Sequence, residues 1–168
     1  MNSSLPIRLP MPDPLKRLVR RHALRKHAST VPTGILPLDR IRRAVVYIDA
    51  STQAVGVLSD QVREFFAGRG IELRILSPQP QDLNWYGRMR RPGRNAGPDE
   101  AEDLFISLAA PDSFASAFAA VSSPARFKVG RVQLPGGTYD LVIKDRRDVC
   151  ESAIIVFKTM TQLLNQIQ

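Results

Sequence analysis

From residue 41 onward the hydrophobic positions alternate between short apolar runs and longer stretches with apolar residues three and four apart. Arg43-Ala-Val-Val-Tyr-Ile-Asp49 is a β-branched and aromatic run closed by a carboxylate, the pattern of a strand buried on both faces. Val55, Leu58, Val62, Phe65 and Phe66 follow at helical spacing, behind the capping candidates Ser51 and Thr52, and Gly68 and Gly70 end that helix. Ile71-Glu-Leu-Arg-Ile-Leu76 predicts a second strand, stopped by Ser77-Pro78. Strand, helix and strand in this order imply a right-handed crossover and a parallel pair.

The alternation breaks at 77–101. This stretch holds four prolines, Gly87, Gly93 and Gly97, the aromatic pair Trp85 and Tyr86, and the arginines 88, 90, 91 and 94. A loop of that length inside a compact domain is usually functional or disordered. Regular patterning resumes with a strand at Asp103-Leu-Phe-Ile-Ser-Leu108, and Pro111-Asp112-Ser113 opens an Ala/Phe-rich helix to about Ser122. Ala125-Arg-Phe-Lys-Val-Gly130 and Tyr139-Asp-Leu-Val-Ile143 predict two more strands around a Pro135-Gly136-Gly137 turn. A final helix is expected over 148–167, with Ile154, Ile155, Phe157, Met160, Leu163, Leu164 and Ile167 apolar. The expected body, 41–168, is one three-layer α/β domain, Rossmann-like or flavodoxin-like, with about five mostly parallel strands.

Residues 1–40 read differently, as an arm. Pro6, Pro10, Pro12 and Pro14 make the first 14 residues extended, and Asp13-Pro14 reads as an N-cap followed by a first-turn proline. A short helix is predicted over 15–27. Leu15, Leu18, Val19, His22 and Ala23 form its apolar face, and Lys16, Arg17, Arg20, Arg21, Arg25 and Lys26 surround the rest. Alone, a helix this short is marginal. Residues 29–40, with Pro32, Gly34 and Pro37, predict a linker, so the basic helix is expected to lie detached, outside the core.

Charge sharpens the division. The net charge is +8, and residues 1–43 carry all of it: ten Lys and Arg stand against Asp13 and Asp39, and the rest sums to neutral. A basic arm on a neutral body points to an anionic partner, RNA or the ribosome first, an anionic membrane surface second. The candidate nucleic-acid contacts are Lys16, Arg17, Arg20, Arg21, Arg25 and Lys26. Arg88, Arg90, Arg91 and Arg94 form a second set, with Trp85 or Tyr86 to stack on an exposed base. The single cysteine, Cys150, allows no internal disulfide and fits a reducing compartment. No run has the apolar core of a secretory signal or the about 20 apolar residues of a membrane span, so a cytoplasmic location is expected.

Both histidines, His22 and His27, lie in the arm, which by count excludes a His-based triad or metal site in the body. Asp145 and Asp148 beside Cys150 make a poor metal set. No catalytic residue, metal or cofactor is therefore expected. Asp49 is followed by neither a G-x-G-x-x-G nor a Walker pattern, which disfavours classical dinucleotide or ATP binding. A ligand edge remains a candidate at Asp49, Asn84, Trp85, Tyr86 and Gly130, near the carboxyl ends of the strands where α/β folds bind ligands. Each has a structural alternative. Asp49 caps the next helix across Ser51, the aromatics plug the sheet edge, Asn84 satisfies loop backbone, and Gly130 is a turn glycine. Arg126 and Lys128 share one strand face, where solvation explains them.

At Asp82-Leu-Asn-Trp-Tyr-Gly87, Ala125-Arg-Phe-Lys-Val-Gly130 and Tyr139-Asp-Leu-Val-Ile143 the chain resembles an uncharacterised family of short Bacteroidota proteins, a domain of unknown function. The resemblance implies a basic N-terminal helix ahead of a small α/β body, and no activity. Residues 103–130 are also similar to one lobe of heptosyltransferase-type glycosyltransferases. There a strand ending in a polar residue, an alanine-rich helix and a Lys-Val-Gly strand end follow in the same order. That similarity implies a shared fold and a third reading, a small-molecule or sugar-nucleotide binding domain, although those enzymes enclose their donor between two lobes.

Overall fold

The computed structural model describes residues 12–84, 88, 101–145 and 151–167. Five strands, β1 (Arg43–Tyr47), β2 (Glu72–Leu76), β3 (Leu104–Ser107), β4 (Phe127–Gly130) and β5 (Leu141–Val142), form one sheet in the order β2-β1-β3-β4-β5. Every neighbouring pair is parallel. This is the flavodoxin-like order, in which the chain winds outward from β1 to β2, then crosses back to β3 and continues the other way. The reversal leaves a switch point between the carboxyl ends of β1 and β3.

Helix α1 spans Asp13–Lys26, α2 Val55–Ala67, α3 Phe114–Ser122 and α4 Ala153–Leu164. Side chains alternate faces along a strand, so β1 sends Ala44 and Val46 one way and Val45 and Tyr47 the other. On the first side Leu58, Val62 and Phe66 of α2 and Val156, Met160 and Leu164 of α4 pack on Val46, Ile106 and Val129. On the second, Ala120 of α3 joins Val45, Tyr47, Phe105 and Tyr139. With both faces covered, β1, β3 and β4 are buried and mostly apolar, which is why they stand out in the sequence, and the polar groups among them need partners. The edge strand β2 carries exposed Glu72 and Arg74, which pair with Arg43 and Glu102, a charged edge that resists further strand addition.

Asp103, just ahead of β3, fixes the amino end of the sheet. Its Oδ2 accepts the amides of Arg42 at 2.8 Å and Arg43 at 3.1 Å, and its Oδ1 accepts from the Arg126 guanidinium at 2.7 Å. Burial alone would raise this carboxyl, but the Arg42 amide, the Arg126 guanidinium and the Arg43 amide together hold it below its ordinary value. Lys128 is not a solvated strand residue. It is 3% exposed, and its ammonium donates to the carbonyls of Ala120 and Ser123, two of the orphan acceptors at the end of α3. Burial pushes its pKa down.

The arm also departs from expectation. Pro12 precedes α1, and Asp13 lies inside the first turn, paired with Lys16 rather than capping through its side chain. No residue of α1 is fully buried, yet the helix is not detached. The Arg20 guanidinium lies 4.9 Å above the Phe114 ring, and the His27 ring is 5.4 Å from Phe118, both on α3. The half-buried side is Lys16, Val19, Arg20, Ala23, Leu24 and His27, whereas Leu15 and Leu18 stay 46% and 64% exposed. The expected linker is a strap. The Ser29 amide donates to Val121 O at the end of α3, the Gly34 amide to Arg126 O, and Thr33 Oγ1 to Asp140.

These contacts give the arm a structural share. A chain beginning at Ile41 loses the three strap bonds and the cover over Phe114 and Phe118. Its stability is expected to fall by about 2 kcal/mol, about 4–8 °C in Tm, in matched thermal melts of the two chains.

Candidate functional site

The switch point holds the first candidate, Asp49, which leaves the end of β1 half-buried. Its Oδ1 accepts from Ser113 Oγ at 3.0 Å and its Oδ2 from the Ala110 amide at 3.2 Å. Ser113 is itself the N-cap of α3, accepting the Ser116 amide. The carboxylate therefore braces the entrance of α3 and does not cap its own following helix across Ser51. Helix α2 starts instead from Ala54 in the left-handed region, φ 56°, with no side-chain cap. The topology explains the change of partner, because the switch point sets the β3–α3 loop beside the end of β1.

Gly130 is the last residue of β4, paired with Val142 in the sheet, and is not a turn glycine. The close approach there is made by the Tyr139 ring, which a Cβ at position 130 would meet at 2.5 Å. Burial pushes the Tyr139 phenol up to about 12, against the opposing influence of Ser107 and Ser116. Ser107 and Ser116 hydroxyls bond each other. Next along, buried Arg131 reaches both Asp145 oxygens at 2.8 Å and the carbonyl of Glu151. The cavity left among these groups is about 10 Å³. Drug-sized ligands occupy roughly 300–1,000 Å³, so the described part of this edge is filled by the chain's own side chains. A larger cleft, about 510 Å³, opens at the other end of the sheet between Leu38, Asp39, Arg69 and Leu164, away from every candidate ligand residue.

Asn84 closes its own loop. Its Oδ1 accepts the Arg88 amide and its amide donates to Arg88 O. Trp85, Tyr86, Arg90, Arg91 and Arg94 lie outside the described residues, as does Cys150.

The cations of α1 sort by face. Arg20 sits over Phe114 and Lys16 pairs with Asp13, while Arg17, Arg21, Arg25 and Lys26 are exposed and form no ion pair among the described residues. In the body Arg43, Arg63, Arg74, Arg126 and Arg131 each have a carboxylate partner, while the scattered exposed cations Arg42, Lys144 and Lys158 form no ion pair among the described residues. Desolvation, then the charges of Arg88 and Lys26, hold His27 below its ordinary value. Arg88 thus adds its field to the C-terminal end of α1, where Arg25 and Lys26 already complement the helix dipole.

Among the described residues no group of His, Cys, Asp and Glu is placed to hold a metal ion, and no helix is long and apolar enough to cross a membrane. No known protein family, curated protein or solved structure matches the chain. Sequence reasoning missed Asp103, Lys128 and Arg131. Their signal was a charge set within or beside runs buried on both faces, where a partner is obligatory.

Two outcomes follow. Asp49→Ala is expected to cost about 1–3 kcal/mol in urea unfolding, because the Ala110 amide and Ser113 hydroxyl lose their acceptor, and to leave the α1 cations untouched. Asp103 has a depressed folded-state pKa, so its contribution is whole above the unfolded value of about 4 and is lost as pH falls through the folded value. The stability gap between wild type and Asp103→Asn is therefore expected to be largest near neutrality and to close on acidification below about pH 4.

Proposed function

We propose that this protein is a non-enzymatic accessory protein that docks on RNA, the ribosome included, through the outer face of α1. The observation that carries this reading is the clustering on one seated helix of four exposed cations, Arg17, Arg21, Arg25 and Lys26, that form no ion pair among the described residues. Cations left without partners by the fold are available to neutralise phosphates, and the counterions so released drive association. Arg88 extends the same field at the C-terminal end of the helix. The described part of the carboxyl edge is filled by the chain's own side chains, which supports this outer surface over a small-ligand crevice there.

Fluorescence anisotropy with a labelled RNA across a salt series tests the reading. Four phosphate contacts give an expected slope of log K against log salt of about −3. Replacing Arg17, Arg21 and Arg25 together by Ala is expected to flatten that slope by about 2 while leaving Tm near the wild-type value, since these side chains face water. A salt response that is flat from the start overturns it.

A further inference from the structure

The seat of α1 on α3 decides which of its residues reach a partner, and they fall into two ridges. Arg17, Arg21 and Arg25 recur every four residues and form a cationic ridge about 12 Å long. Leu15, Leu18 and His22, three and four apart, form a second ridge beside it, and all three are exposed. Val19, Arg20, Ala23 and His27 are turned to the body and leave these two ridges as the outer surface. Lys26, in the last turn, marks one end.

We infer that the outer face of α1 takes a single-stranded nucleic acid, its phosphates on the Arg17–Arg21–Arg25 ridge and its unstacked bases on the Leu15–Leu18–His22 ridge. The inference rests on the nucleic-acid reading of the same helix and adds the strand state. A single strand carries charge along one side and flat apolar faces along the other, the same division the helix presents. Imidazole rings serve as stacking surfaces for splayed bases, and apolar side chains pack on them without regard to sequence. A duplex hides its base faces and offers phosphates and grooves, so it would leave Leu15 and Leu18 against charge or water.

The experiment titrates the full chain into a short labelled RNA strand, and into that strand annealed to its complement, at one salt concentration. The single strand is expected to bind about five- to tenfold tighter. The double variant Leu18→Ala/His22→Ala is expected to lose about fivefold for the single strand, with the duplex and the salt slope unchanged. Both changes raise helix propensity, so a loss is not explained by an unwound helix. Arg21→Ala weakens both forms and lowers the single-strand slope by about 0.7. Duplex binding as tight as single-strand binding, or a double variant that behaves as wild type, overturns the inference and leaves the RNA reading standing. Binding to neither form, with or without capture on vesicles of anionic lipid, overturns both.

Discussion

The carboxylate of Asp103 is the fixed point of the sheet. Parallel strands have no hairpin to set their register, and a slip of one residue exchanges the two faces of a strand. Here one side chain binds the first two amides of the β1 approach and the guanidinium of Arg126 ahead of β4, while its own backbone bonds to Arg43 and Phe127. Three adjacent strands are thereby aligned at their amino ends. Asp49 does related work at the carboxyl end, tying β1 to the loop that enters α3. Between these two aspartates Val45 and Tyr47 must face α3, and Val46 must face α2 and α4.

Much of this was legible before any coordinates. Strands buried on both faces need unbroken apolar runs, so β1, β3 and β4 announced themselves, and α2 and α4 followed from spacing. Their order did not. It depends on which way the chain turns after β2 and after β4, through connections whose composition sets no direction. Lys128 looked solvated because its alternation with Arg126 suggested a polar face. In the fold its position faces the end of α3, whose unbonded carbonyls need a donor.

The arm shows where pattern reading stops. Charge counts set the arm apart, but the helix was expected to lie detached, with Leu15 and Leu18 on its apolar face. It is seated instead, and Arg20 and His27 take the body side because α3 presents aromatic rings there. A guanidinium over an aromatic face gains both packing and electrostatic attraction, which the leucines cannot match on the second count. Seated in this way, α1 turns Leu15 and Leu18 outward beside cations that form no ion pair among the described residues.

The seating of α1 also changes what kind of binding element the proposed reading makes of it. Free basic tails are flexible, and a partner that orders them must overcome about 1–2 kcal/mol of backbone entropy per residue. The strap from Ser29 to Thr33 and the contacts to Phe114 and Phe118 remove that freedom during folding. On the proposed RNA reading the helix would meet its partner as a preorganised ruler, with the spacing between its arginines set in advance. Selectivity would then come from the distances it imposes, and a loosened strap would turn a ruler back into a tail.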